Sequence, residues 1–431
     1  VSSPPGGPVV RGNLWHEVPD ALPDDTTVSV VVTHYEQQAE LDRTLDAIAR
    51  QTFPAAQLEV VVADDGSSEA PRVPAGVRLV RQEDRGFRAA AARNLGARHT
   101  SGDVLVFLDA DTAPEPDFVA HLVRLPAVLP EAVVVGRRRH VDLATGTILA
   151  DPLWLLQGHA TSRDLLDADE TSFRYVISAV LACSRWFFEE TGGFDETFST
   201  YGGEDWEWAH RAWTHGALLA HEARAVAWHD GPDRAGRAQG DEVGDAARML
   251  SETLAIARRV PVPGVAPTGL LLGPPDPVVT IDPTLPPDAV VVTADDLLAS
   301  MPRAQLVLAD HHAMLLRADQ RVHAVGGVTE LADHPAARSA WRWLHVHAPV
   351  SGTADGWRVP GDLLRGPGAP GRIEVVDPDG RPLLVWHSLR AVRRAARWSR
   401  DDLDPERTVV ADGLEVLSPD VEVAARWGGW A

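Results

Sequence analysis

The sequence predicts an α/β protein built on a parallel sheet, followed by a second, smaller α/β or α+β domain. Three observations carry this expectation. Short apolar runs rich in β-branched residues alternate with stretches of helical period, at the spacing of βαβ units. Two of those runs end in paired carboxylates, Asp64-Asp65 and Asp109/Asp111. A stretch with six prolines and three glycines, 261–277, then interrupts the pattern and reads as a linker.

In chain order, residues 1–27 read as an irregular lead-in. Residues 28–32 are a first buried strand, leading into Thr33-His34-Tyr35-Glu36. Leu41, Leu45 and Ile48 fall at i, i+4 and i+7, which predicts an amphipathic helix over 39–50. Residues 58–63 and 77–80 are the second and third strands, and the alanine-rich segment 86–99, carrying Arg93-Asn94-Leu95-Gly96, is a helix. Residues 104–108 are an apolar run rich in β-formers, so a fully buried strand is expected, followed by a helix over 117–125 and a strand over 132–136. No Gly-X-Gly-X-X-Gly follows the first strand and the chain has no lysine, which disfavours a Rossmann dinucleotide site and a P-loop.

The acidic strand ends are the chemical signal. In open α/β sheets, ligands gather at the carboxyl edge of the strands. Asp109 and Asp111, separated by the small Ala110, would repel and lose hydration there unless a cation or donors compensated them. A divalent metal, and with it a phosphate, is the physical expectation. Acceptors at Asp64-Asp65 suit a pyrimidine N–H or ribose hydroxyls. Beyond 137 the alternation breaks, and the chain carries Gly192-Gly193-Phe194-Asp195-Glu196, then Tyr201-Gly202-Gly203-Glu204-Asp205-Trp206, then a short strand over 225–228 ending in His229-Asp230. Taken alone, Glu204-Asp205 reads more readily as a charge pair favoured by a helix N-terminus, and His229 as a surface or packed histidine.

Together these pieces resemble family 2 glycosyltransferases of the GT-A fold, nearest to bacterial chondroitin-polymerase-type and galactosyltransferase-like domains. The resemblance covers about residues 27–233 and rests on seven motifs in the family's order. It implies a GT-A nucleotide-diphospho-sugar transferase domain over 28–260. It also implies that Thr33, His34, Tyr35, Glu36, Asp64, Asp65, Arg93, Asp109 and Ala110 meet the nucleotide, and that Asp111 and His229, with Asp109, hold Mn²⁺ or Mg²⁺. Asp205 matches the catalytic base, with Glu204 beside it, and Gly203, Glu204, Trp206 and Ser178 lie against the donor or acceptor sugar. The implied reaction is metal-dependent, inverting transfer from a UDP-sugar to a hydroxyl. One departure stands out: where such enzymes carry a Gly-Gly-Asn-like turn, this chain has 177–183, with neither glycine nor amide. That change favours the rival reading, a catalytically lapsed sugar-nucleotide-binding or scaffold protein. A sugar-1-phosphate nucleotidyltransferase is disfavoured because 33–38 holds neither glycine nor arginine.

The net charge of −22 argues against sequence-independent binding to nucleic acid or an anionic bilayer. No run approaches 18 apolar residues, and the proline- and glycine-rich start does not read as a secretory leader. With the single cysteine Cys183, this fits a cytoplasmic protein acting on a soluble glycan, peptide or small-molecule acceptor. Residues 278–431 carry no motif we identify with a family; strands are expected at 278–281, 289–292, 305–308, 372–376 and 383–386, with a helix over 389–400. Acceptor recognition or homo-oligomerisation is the expectation for this part. Asp310-His311-His312 and His345/His347 read as solvated histidines rather than ligand sets.

Overall fold

The computed structural model describes the chain apart from residues 1–3, 20, 144, 200–201, 233–241, 268, 326–333, 336–339, 419 and 428–431. Tyr201 of the Gly-Gly-Glu-Asp segment is therefore outside the described residues. The contacts divide the chain into two units, Val1–Trp213 with Ala217–Ile256, and Thr214–Gly216 with Ala257–Ala431.

In the first unit the strands and helices run β1 (Val28–His34), α1 (Gln38–Ala49), β2 (Leu58–Asp64), β3 (Arg78–Arg81), α2 (Ala89–Arg98), β4 (Val104–Asp109) and β5 (Thr112–Pro114). There follow α3 (Phe118–Leu122), α4 (Arg124–Val128), β6 (Ala132–Asp142), β7 (Thr147–Ile148), α5 (Leu153–Thr161), β8 (Val180–Ser184), α6 (Arg185–Glu190), α7 (Glu204–Thr214), β9 (Leu218–Asp230) and α8 (Glu242–Ala257). The strands form one sheet in the order β3-β2-β1-β4-β8-β6-β9-β5, with β7 paired to β6. Strands β1 to β4 are mutually parallel where they pair. Val30, Val31, Val32 and Val104–Leu108 are buried, which is why both strands read as continuous apolar runs.

The sheet is mixed rather than parallel. Strand β8 runs antiparallel to both β4 and β6, and β5 runs antiparallel to β9. Residues 180–183, expected to belong to a turn, are instead buried strand, because an apolar Val-Leu-Ala-Cys run fits between two other strands. The strands at 132–136 and 225–228 are also longer than expected: β6 and β9 pair in parallel from Ala132 to Val141, with a register shift after Gly136. The helix expected over 117–125 is two short ones, α3 and α4, meeting at Val123. Helix α2 packs unusually close to the sheet, since a Cβ on Gly96 would fall 2.3 Å from Val31 Cγ1.

The second unit has its own sheet, built on β10 (Val278–Ile281), β11 (Gln305–Leu308), β12 (Val322–Ala324), β13 (Arg342–Val346), β15 (Arg372–Val376), β16 (Pro382–Ser388) and β17 (Glu406–Val410), in the order β12-β11-β10-β13-β16-β15-β17. A small pair, β14 (Val350–Gly352) with β18 (Leu414–Val416), lies outside it. Val279, Ile281, Leu344, Val346, Leu384 and Trp386 share one buried cluster with side chains of the helix α9 (Pro287–Ser300). The strand expected at 289–292 is part of α9. A valine run has strand propensity, but Pro287 starts a helix, and Val290, Ala294, Leu297 and Met301 recur at helical spacing toward the core.

Candidate active site

The carboxyl ends of β1, β2 and β4 lie side by side. Thr33 is in register with Asp109 and His34 with Asp64. The chain then turns identically off two strands: Asp65 N–H donates to His34 O at 2.8 Å, and Ala110 N–H donates to Thr33 O at 2.9 Å. Thr44 Oγ1 donates to Ala110 O at 2.7 Å and fixes the turn between the two aspartates.

Several residues expected at the nucleotide turn out to hold this edge together. Asp64 is fully buried and takes bonds from His34 Nδ1 (2.8 Å), Arg81 Nε (2.8 Å), Ser67 N–H (3.1 Å) and Ser67 Oγ. These bonds outweigh burial and hold its carboxyl below the usual range. His34 Nε2 accepts from Gln37 N–H at 3.2 Å, which sets the tautomer that donates from Nδ1 to Asp64. Glu36, at a φ of 56°, accepts from Ser68 N–H (2.6 Å) while its own N–H donates to Ser67 Oγ (2.9 Å). His34 and Asp64 are buried with these polar atoms engaged, whereas Glu36 is exposed. Tyr35 is exposed; Asp65 is held by Gln82 Nε2 and Arg88 N–H and raised in pKa by its burial; Thr33 Oγ1 is buried without a partner.

Arg93 is the hub of the site. From α2 its Nη2 reaches Asp109 Oδ1 at 2.9 Å and its Nη1 reaches Glu204 Oε1 at 2.8 Å. The guanidinium is 5% exposed, and although burial alone would weaken it, the charges of Asp109 and Glu204 hold its pKa above the ordinary value. One arginine thus joins the end of β4 to the start of α7, with Glu204 lying 111 residues beyond Arg93 in sequence. Glu204 Oε2 is buried and has no partner. A buried carboxylate oxygen left open beside a cation is costly, and such groups mark places where a ligand donor completes the set.

Next to it, Asp205 accepts from Trp206 N–H at 2.8 Å and from Ser178 N–H at 3.4 Å. Burial, and then the charge of Glu204, push its carboxyl up to about 7 against the pull of Arg93. The turn that presents this pair needs Gly203: its φ is +103°, and a Cβ there would sit 2.9 Å from Ile256 Cδ1. Ser178, in the stretch that departs from the Gly-Gly-Asn pattern, offers its backbone amide to the carboxylate.

Strand β9 delivers His229 to the turn after β4. Thr112 is in register with His229, and Asp230 N–H donates to Asp111 O at 2.9 Å. His229 Nδ1 and Asp111 Oδ1 are 3.1 Å apart. That is hydrogen-bond distance, and it brings an imidazole nitrogen and a carboxylate oxygen, both able to ligate a divalent cation, to the same place. Asp109 is turned to Arg93 instead. Among the described residues no group of three or more His, Cys, Asp or Glu side chains is arranged to hold a metal, and that includes the histidines at 311–312 and 345/347. Asp111 and His229 fit a divalent cation as a pair that needs further oxygens from a ligand.

Several supporting residues escaped the sequence reading. Arg81 and Gln82, at the end of β3, clamp Asp64 and Asp65. Asn94 donates to Phe194 O at 2.8 Å and accepts from Phe194 N–H at 3.0 Å, which ties the Gly-Gly-Phe-Asp-Glu segment to α2. Arg43 pairs with Asp230, and the His140 ring lies edge-on to His229 at 5.0 Å. Only the polar residues at a strand end, Arg81 and Gln82, were a usable signal; Asn94 and Arg43 depend on contacts across 100 and 187 residues.

Residues 29–182 match the family model described as glycosyl transferase family 2, and residues 169–221 match that described as the N-terminal domain of galactosyltransferase. Among curated relatives, the chain is 32% identical over 228 residues to a validoxylamine A glucosyltransferase of Streptomyces hygroscopicus subsp. limoneus, covering 46% of this chain and 50% of that one. It is 28% identical to a chondroitin synthase of Escherichia coli, over 48% of this chain and 35% of the relative. Among solved structures it aligns with a Pyrobaculum calidifontis mannosyltransferase at 22% identity and a TM-score of 0.40, over 57% of this chain and 69% of that one. The chain spans half or less of the length of these two curated relatives. By these matches, the first unit is similar to glycosyl transferase family 2 over residues 29–182.

Proposed function

We propose that the chain transfers a sugar from a nucleotide-sugar, specifically a UDP-sugar, to a hydroxyl acceptor, with metal dependence and inversion of configuration. The observation that carries this reading is Arg93 bridging Asp109 and Glu204, with Asp205 alongside at a pKa of about 7. A carboxylate poised near neutrality is suited to take a proton at physiological pH, which an ordinary aspartate is not.

In this mechanism Asp205 takes the proton of the acceptor hydroxyl. The oxygen attacks the anomeric carbon from the face opposite the nucleotide, the bond to the phosphate oxygen breaks, and the nucleoside diphosphate leaves. Glu204, with Oε2 open, accepts a hydrogen bond from a sugar hydroxyl and is held in place by Arg93. Asp111 and His229 would hold a Mn²⁺ or Mg²⁺ ion, whose charge stabilises the departing diphosphate; an imidazole in the set suits Mn²⁺. Tyr35, Thr33 and Asp65 face the nucleoside. A panel of UDP- and GDP-sugars, scored for release of nucleoside diphosphate with and without hydroxyl acceptors and for the anomeric configuration of the product, tests the reading. Release from one donor with an inverted product supports it, and no release from any donor rejects it.

A further inference from the structure

We propose that His140 is a positioning residue for the metal site: it holds the imidazole of His229 in the orientation in which that ring shares a divalent cation with Asp111. This rests on the transferase reading and deepens it, by naming what keeps the ligand pair in place.

His140 and His229 are in register on the neighbouring parallel strands β6 and β9, so their side chains leave the sheet on the same face, one strand spacing apart. The two rings meet edge-on, with centroids 5.0 Å apart and planes at 75°. Aromatic rings favour this arrangement over a face-to-face stack. His140 is fully buried and His229 is 5% exposed, so the His229 ring is confined on that side by a second ring and not by water.

His140 is itself tied at three points. Its backbone N–H donates to Asp151 Oδ1 at 3.3 Å, its carbonyl accepts from Leu149 N–H at 2.9 Å, and its ring Nδ1 bonds to Gly231 O at 3.0 Å. A carbonyl oxygen can only accept, so Nδ1 carries a proton. Gly231 N–H in turn donates to Val141 O at 2.7 Å. Between them, the Asp230 carboxylate takes Leu143 N–H at 3.0 Å and the guanidinium of Arg43. The strand end His229-Asp230-Gly231 is thus held at each of its three residues. An apolar side chain at 140 could fill the space beside His229 but could not bond Gly231 O, two residues past the ligand. A histidine does both.

This arrangement acts on metal binding through entropy. A ligand side chain that is free to change rotamer loses that freedom when the ion arrives, and binding weakens by the loss; a ring already confined does not pass through that step. Outer partners that orient a ligating histidine typically change metal affinity by about 10–100-fold. The effect falls on the ion and not on the nucleoside, because none of the contacts of His140 described above reaches Thr33, Tyr35 or Asp65.

The test compares the whole chain as wild type, His140→Ala and His140→Phe. Calorimetric UDP titrations over a series of Mn²⁺ concentrations, and in EDTA, give the Mn²⁺ requirement and the metal-free UDP affinity separately. Electron spin-echo modulation on the bound Mn²⁺ reads the imidazole nitrogen directly. The expected result is a Mn²⁺ requirement raised about 10–100-fold in His140→Ala, with weaker nitrogen modulation and unchanged UDP affinity in EDTA. His140→Phe, which keeps the ring edge but not the bond to Gly231, falls between His140→Ala and wild type. Should His140→Ala not fold, a raised Mn²⁺ requirement in His140→Phe carries the test. An unchanged Mn²⁺ requirement in either folded variant, full nitrogen modulation in His140→Ala, or an equal loss of UDP affinity in EDTA overturns the proposal and leaves the transferase reading standing. Absence of UDP binding in wild type rejects both.

Discussion

Replacing Asp205 with asparagine separates catalysis from stability, with opposite signs. The side chain keeps its volume, but the group that takes the acceptor proton is gone, and a positioned base contributes typically about 10²–10⁴-fold. Transfer is expected to fall by that factor while nucleotide binding, assigned in the proposed function to Asp111, Arg93 and the ends of β1 and β2, is expected to persist. Stability moves the other way. Asp205 is raised to about 7 from an ordinary 3.8, so between those values the folded state binds the proton that the unfolded state has released. Folding is therefore progressively penalised as pH rises from about 4 to 7, and the penalty is constant above that. At about 1.4 kcal/mol per pH unit the full penalty is roughly 4 kcal/mol. Glu204 shares in it, and the Asn amide turns a donor toward one of the backbone N–H groups, so about 2 kcal/mol of recovery is expected above pH 7. That corresponds to a rise in Tm of roughly 4–8 °C at pH 8, shrinking to nothing near pH 4. Thermal melts from pH 4 to 8, with initial transfer rates on the same preparations, read both effects. A variant that transfers at the wild-type rate, or that melts lower than wild type at pH 8, would refute the assignment of Asp205 as a buried base.

The same pKa predicts that wild-type transfer falls about tenfold per pH unit below about 7, as the base protonates, and levels above it; a pH–rate profile checks this. Arg93→Ala leaves Asp109 and the buried Glu204 without their shared cation, and is expected to destabilise the first unit by about 3–5 kcal/mol in denaturant titration. Arg93→Lys, with no planar fork to bridge both carboxylates, should recover only part of that loss. Asp111→Ala is expected to abolish the effect of Mn²⁺ on UDP binding, and because the described residues offer the pair Asp111 and His229 and no group of three, Mn²⁺ without nucleotide should bind the wild type weakly in calorimetry. His159 is pushed down to about 4 by burial and by His221, stacked 3.7 Å away, so the unfolded state binds the extra proton between about pH 6.5 and 4 and stability falls as pH drops through that window. The loss amounts to about 3 kcal/mol at its full extent, and melts of His159→Gln should be flatter with pH over the same range.

How far the sequence was legible depends on where each element draws its stability. Strands β1, β2 and β4 are buried on both faces or nearly so, so composition alone marked them, and their acidic ends marked the site. Strand β8 was hidden because Val180–Ser184 lies between two strands it meets only after the intervening chain has folded. The far halves of β6 and β9 carry Arg137, Arg138, Arg139, Glu222 and Arg224, whose charges break the apolar pattern exactly where the strands leave the core, and only their mutual pairing extends them. In α9 the burial of Val290, Ala294 and Leu297 on one face overrode the strand propensity of the valines. At the site, residue types at motif positions pointed to Asp109, Asp111, Glu204, Asp205 and His229. The contacts did not show: that Arg93 holds two carboxylates, that His34 bonds to the buried Asp64, and that Asn94 ties down Phe194 depend on residues distant in sequence.

The most direct test of the central claim, that the crevice between Asp65, Arg93 and Asp111 is a sugar-nucleotide site, is calorimetric titration of the intact chain with UDP in Mn²⁺ and again in EDTA. The account predicts saturable binding in Mn²⁺ that weakens at least about tenfold when the ion is removed. Absence of UDP binding with either Mn²⁺ or Mg²⁺ present, and of GDP binding under the same conditions, would contradict it.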